Sequence, residues 1–198
     1  LKFAPAILSG ICNGIDCIFS LMLKKENNLT FRWRVAQYLE RRWWKRYLRG
    51  KSPEDYLTDK NAYWKRTLDQ LGWRPVPGRR VLDAGCGPAG VFIHVREVEK
   101  VIALDPLLAN YEADLAIFRR EDYPNVRFLH QPLEQAFDDD ATFDAIYCFN
   151  AINHVSDWDV ALDALTAHAH AGTRLLLTSD VHRHKLLLPI FRALPGDA

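Results

Sequence analysis

Methionine is nearly absent from this chain: Met22 is the only one in 198 residues. Cysteine is sparse too. Its four residues (Cys12, Cys17, Cys86, Cys148) form no CxxC pair, and none stands near a histidine at metal-ligand spacing. That excludes a disulfide-stapled scaffold and a zinc ribbon, and it points to a reducing, cytoplasmic setting. No internal repeat or low-complexity tract occurs, so solenoid and disordered classes are excluded. A clean membrane-spanning run is lacking as well. Residues 1–23 are apolar but broken by Asn13 and Asp16, and a carboxylate in hydrocarbon costs about 2.5–3.5 kcal/mol on insertion scales. No cationic cluster precedes the run, as a secretory signal would require. A further reading takes 1–21 as upstream sequence, with MLKKENN (22–28) as the native start.

Acidic residues are scarce at the front of the chain. Residues 1–51 carry 11 Lys/Arg against 3 Asp/Glu, whereas residues 81–198 carry 9 against 18, and the whole chain nets only +1. A basic front end is joined to an acidic body. With 48% apolar residues the chain can bury a full core. The organisation expected is an apolar leader (1–23), an N-terminal helical cap (24–78) and an α/β domain (79–198).

That domain is organised around VLDAGCGPAG (81–90) and VIALD (101–105). A short apolar strand enters a turn with glycines at 85, 87 and 90, and a second strand ends in Asp105, 20 residues after Gly85. This is a nucleotide-binding layout. The spacing satisfies GxGxxG, so a dinucleotide is the first ligand to consider. Asp83 argues against it, because a carboxylate repels a pyrophosphate in a partly buried turn. So does Pro88, which lacks an N–H to donate at the helix start. Both suit a ligand with a cationic end and an adenosine ribose held by Asp105. S-adenosylmethionine has that chemistry.

These two segments, with FDAIYCFNAINHV (143–155) and GTRLLLTSD (172–180), resemble the class I S-adenosylmethionine-dependent methyltransferases over roughly residues 79–182. The resemblance implies a Rossmann-like, doubly wound parallel sheet with an N-terminal helical extension. It also implies S-adenosylmethionine as cofactor. The family sheet has two further strands after the fifth, for which no sequence remains before Ala198. The expectation is a truncated domain that lacks the C-terminal strands and leaves strand five as an edge, or a protein that covers this edge with its C-terminal segment or with a partner.

The remaining segments follow from pattern. A basic, aromatic helix is expected over Phe31–Arg49, packing through Val35, Ala36, Leu39, Trp43, Trp44, Tyr47 and Leu48, with its cations turned to solvent. Ser52-Pro53-Glu54-Asp55 starts a second helix that runs to about Leu71, with Leu57, Trp64, Leu68 and Leu71 on its buried face and Gly72 as its stop. Trp73 to Gly78 reads as a linker. Strands are expected at Val81–Ala84, Val101–Leu104, Val126–Leu129, Phe143–Phe149 and Thr173–Thr178. Between them run helices from Pro88, from Pro106 or Leu107 to about Phe118, and from a Ser156/Asp159 capping box to about His168. His168 and His170 are expected to close that last helix.

By the resemblance, Gly85 and Gly87 let the backbone approach the cofactor, Asp83 orients its methionine amino end, Asp105 accepts the ribose hydroxyls, and Asn150 lies beside the methionine part. Pro132 stands where family members carry an adenine-binding Asp, so Gln131, the backbone at Leu133, or Glu134 takes that contact. Asn153 and His154 point to the acceptor, and His154 is the base candidate because histidine titrates near neutrality. Tyr63, Trp64, Lys65 and Arg66 on the second helix are further candidates to touch cofactor or substrate. Asp180, His182 and His184 form a weak metal pattern without a fourth ligand. The segment after strand four lacks an Asn/Asp-Pro-Pro-aromatic pattern, and no Pro-Cys pair is present, which disfavours nucleic acid. A small-molecule methyl acceptor is the expectation. The alternatives are a lipid or quinone acceptor at a membrane surface approached through residues 31–49, and a non-catalytic Rossmann-like binding module.

Overall fold

The computed structural model describes residues 33–135 and 142–179. Five strands, β1 (Arg80–Ala84), β2 (Lys100–Leu104), β3 (Val126–Leu129), β4 (Phe143–Phe149) and β5 (Ala169–Thr178), form one parallel sheet in the order β3-β2-β1-β4-β5. The helices are α1 (33–47), α2 (Pro53–Gln70), α3 (Phe92–Val95), α4 (Leu108–Asp114) and α5 (Trp158–Thr166). Strand order runs outward from β1 to β3 and then returns to β4. The crevice at the carboxyl ends of β1, β2 and β4 is thus the switch point of the sheet.

Side chains alternate across β1, so Val81 joins a core with Trp64 and Leu68 of α2, Phe92 of α3 and Tyr111 of α4. Leu82 and Ala84 join a second core with Ile146, Cys148 and, from α5, Ala161 and Leu165. Both faces of the sheet are covered, as parallel pairing requires. This is the doubly wound sheet expected from the sequence.

Several local expectations are corrected. The face of α1 that docks is the stripe of Gln37, Glu40, Arg41, Trp44 and Leu48, while Leu39, Trp43 and Tyr47 are exposed. Arg41 and Lys45, expected in solvent, pair with Asp114 at the end of α4. Helix α2 is capped by Ser52 as expected, but its buried residues are Tyr56, Trp64 and Leu68, and Leu71 is exposed. Trp73 is a core residue and not part of a loose linker. Its indole donates to the Tyr147 hydroxyl (2.6 Å), which donates to Glu99 (3.1 Å).

The helix expected at Pro88 is a 3₁₀ turn, Gly87–Ala89, followed by the single turn of α3. Helix α4 stops at Asp114, and the chain beyond it buries Leu115, Ile117 and Phe118 in non-helical form. The cap of α5 is Asp157, whose carboxylate accepts from the amides of Asp159 and Val160. Ser156 instead donates its hydroxyl and amide to Glu134. Strand β5 begins four residues early, at Ala169 paired with Phe143, so His170 lies in the strand and not at a helix end.

Among the described residues β5 is an edge strand, no helix is long and apolar enough to cross a membrane, and no His/Cys/Asp/Glu group could hold a metal. The leader 1–23 and Asp180, His182 and His184 lie outside the described residues.

Candidate active site at the carboxyl edge of the sheet

The turn after β1 is held by the neighbouring strand. The amides of Gly85 and Cys86 both donate to the Leu104 carbonyl (2.8 and 3.0 Å), and the Gly87 amide donates to Oδ2 of Asp105 (2.9 Å). Gly85 and Gly87 both have positive φ, at 70° and 57°. At Gly85 space decides as well: a Cβ there would stand 2.2 Å from the Cβ of Ala151 and 3.5 Å from a methyl of Leu133. Three segments, after β1, β3 and β4, therefore meet at one glycine. Gly90 is fixed by packing, since a Cβ would meet the Cys86 carbonyl and Oδ2 of Asp83.

Two carboxylates are buried beside this turn. Asp83, 2% exposed, accepts the Phe92 amide at 2.8 Å. Asp105, 6% exposed, accepts Gly87 through Oδ2 and Leu107 through Oδ1 (2.7 Å). Burial pushes each up to about 7, opposed by these amide bonds; the negative charge of Glu40 adds to the rise at Asp105. Burial also lifts the Cys86 thiol well above its usual range and the Cys148 thiol to about 12, so neither is a ready nucleophile.

Helix α1 lies over this edge. The Trp44 ring is 3.9 Å from where a Gly87 Cβ would stand and packs edge-on against Tyr111. The Tyr111 hydroxyl donates to Glu40 at 3.0 Å. Gln37, one turn earlier on the same stripe, is buried with its Oε1 unpartnered. Of these contributors sequence pattern marks Trp44 alone, as a packing residue of the helix, while Gln37, Glu40 and Tyr111 have only a weaker signal. The signal was Glu40, the only acid between residues 27 and 51.

On the other side, Asn150 adopts a left-handed conformation (φ 52°) and its Oδ1 accepts from the Thr178 hydroxyl, tying β4 to β5. Asn153 is buried with Oδ1 unpartnered, and its Nδ2 lies 3.4 Å from Nε2 of the exposed His154. Gln131 donates to the Gln135 carbonyl (3.0 Å), and Leu133 is buried against Gly85. Trp64 donates to the Ala89 carbonyl (2.9 Å) and stacks on Phe149, a packing role beneath the turn, whereas Tyr63, Lys65 and Arg66 are exposed.

A model of the methyltransferase domain matches residues 56–190. The chain belongs to that family. Its cofactor is S-adenosylmethionine. No curated protein matches the chain. Among solved structures it is similar to the YcgJ protein of Bacillus subtilis (22% identity, 68% of this chain and 56% of that one, TM-score 0.52). A proposed methyltransferase from Bacillus halodurans is similarly related (20%, 64% and 55%, TM-score 0.52). An amino pentose methyltransferase of Micromonospora echinaspora, solved with its cofactor, shows 27% identity over 68% of this chain and 54% of that one, at TM-score 0.45. The chain thus spans little more than half the length of these structures, and the first two agree with the fold described above.

The edge of this methyltransferase domain fits its cofactor and does not fit a phosphate. The amides of residues 85, 86 and 87 are all committed within the protein, and Pro88 has none, so the turn offers no anion nest. Two buried carboxylates with lone pairs to spare suit hydroxyl donors and a cationic group.

Proposed function

We propose that this chain is an S-adenosylmethionine-dependent methyltransferase acting on a small-molecule acceptor. The observation that carries this reading is the pair of buried carboxylates, Asp83 and Asp105, beside a turn whose amides are already spent. When bound, S-adenosylmethionine supplies an electrophilic methyl group on a sulfonium whose charge disappears on transfer. Asp105 holds the ribose hydroxyls through lone pairs not used by Gly87 and Leu107. Asp83 sets a negative charge toward the methionine ammonium. Gln131 and Leu133 line the adenine side, and Asn150 lies by the methionine part. Gly87 keeps a side chain out of the cofactor's approach, and Gly85 lets the turn close against Ala151. Asn153 presents an unpartnered Oδ1 that orients a donor on the acceptor, and His154 stands beside it to take a proton where the acceptor carries one. Most of the work is positioning and exclusion of water.

Calorimetry with S-adenosylhomocysteine tests the assignment. The full chain binds, and Asp105→Asn weakens binding on the order of tenfold to a hundredfold, the worth of a hydrogen bond to a charged group. Unchanged affinity in that variant would remove Asp105 from the cofactor site. Absence of binding by the full chain would favour a non-catalytic module. A metabolite-extract screen with methyl-labelled cofactor then identifies the acceptor.

A further inference from the structure

We infer that the outward face of α1 is a docking surface for an anionic membrane. At 100° per residue, the docked stripe of Gln37, Trp44 and Leu48 leaves an opposite arc of about half the helix circumference. That arc carries Tyr38 (59% exposed), Leu39 and Trp43 (53% exposed), with Tyr47 at its border, edge-on to Trp44 and Tyr56. Between them stand Arg42 and Arg46, and Arg49 follows in the turn just beyond the helix, all exposed. Among the described residues none of these three arginines is paired with a carboxylate, and Arg42 reaches only the Tyr38 hydroxyl (3.4 Å). The one acid of the helix, Glu40, is turned inward to Tyr111. Large amphipathic rings and an aliphatic side chain, interleaved with unpaired guanidinium groups and free of negative charge, are the complement of a bilayer interface. The rings sit at headgroup depth, while the guanidinium groups meet phosphate in paired hydrogen bonds.

Single-stranded nucleic acid shares the charge requirement but needs open ring faces for base stacking. Here Trp43 and Tyr47 are stacked on each other (4.7 Å, 7° between planes), and the Lys51 ammonium lies 3.4 Å from the Tyr47 centroid. Both faces of Tyr47 are therefore occupied, and Trp43 keeps at most one face for a base. That favours burial in an interface over stacking. The face does not depend on the methyltransferase reading, although docking through it sets the carboxyl edge of the sheet, which lies under α1, toward the bilayer.

The test is co-sedimentation of the full chain with phosphatidylcholine vesicles, with and without phosphatidylglycerol. We expect binding that requires phosphatidylglycerol and fades as salt rises. The triple variant Arg42→Glu/Arg46→Glu/Arg49→Glu loses about tenfold or more, since each cation near such a surface contributes on the order of 1 kcal/mol. Trp43→Ser/Tyr47→Ser also loses binding with the charge untouched. A control of equal charge change elsewhere, Arg66→Glu/Arg74→Glu/Arg119→Glu, keeps most of it. The inference is overturned if the chain ignores phosphatidylglycerol or if the control loses as much as the α1 triple. It is also overturned if a single-stranded oligonucleotide binds α1 more tightly than the anionic vesicles do.

Discussion

Ala151 leaves room at position 85 for no side chain at all. With a Cβ set 2.2 Å from another methyl on top of a φ of 70°, Gly85→Ala should cost about 3 kcal/mol or more, combining overpacking with the left-handed penalty. Gly87→Ala meets only an ordinary contact and should cost about 1–2 kcal/mol from backbone strain alone. Urea melts of the two variants check the order, and equal losses would contradict it. At Asp83 and Asp105 the sign of the pH dependence is fixed. Their folded values of about 7 stand above the unfolded value of 3.8, so the folded chain holds extra protons between those limits. Their contribution to stability is complete below pH 4 and lost as pH rises through 7. Asp83→Asn should flatten the fall in urea midpoint between pH 5 and 8; an unchanged slope would show that Asp83 does not titrate there. Ligand binding that favours the ionised carboxylates should release protons near neutral pH, a release visible as a dependence of binding enthalpy on buffer.

At the scale of elements, two tryptophans connect the helical front to the sheet. Trp64 bonds the turn at Ala89, while Trp73 enters a buried relay with Tyr147 and Glu99, whose other oxygen accepts the Val76 amide (3.1 Å). Burial raises the Glu99 carboxyl above its ordinary range. Tyr147→Phe strips a partner from the Trp73 indole and from Glu99 at once, and should destabilise by about 2–3 kcal/mol, each stranded group costing about 1–3 kcal/mol. A change below 0.5 kcal/mol in a chemical melt would mean the relay carries no weight. The same elements show what sequence could and could not deliver. β3 and β4 match their expected bounds because each is a short, mainly apolar segment, VRFL and FDAIYCF, set between polar and turn residues. Trp73 was missed because prolines at 75 and 77 mark the segment as linker, and nothing local reveals that an indole N–H has a partner 74 residues away. The α1 face was misread for a related reason. Aromatic residues lie on both sides of that helix, so periodicity could not choose between them; Asp114, which anchors Arg41 and Lys45, made the choice.

For the whole molecule, the basic front and acidic body seen in the charge count become a physical seam along α1 and α4. Asp114→Asn should raise hydrogen exchange across residues 33–47 while leaving β1 and β4 protected, and added salt should do the same to the native chain. A uniform rise over the sheet would show that α1 is not a separable unit. The parallel order and the switch point were legible from strand and helix alternation and from the glycine turn with Asp105. The stripe of α1 that docks over that point was not, because it depends on the long-range meeting of Glu40 with Tyr111.

The glycine turn keeps its shape through bonds to Leu104 and Asp105 before any guest arrives. Little ordering remains to be done there on capture, so the waiting time for a visitor should be set by how often the aromatic roof of Trp44 peels back. Stopped-flow traces should level off at high ligand concentration, at a ceiling that rises when Glu40 can no longer grip Tyr111.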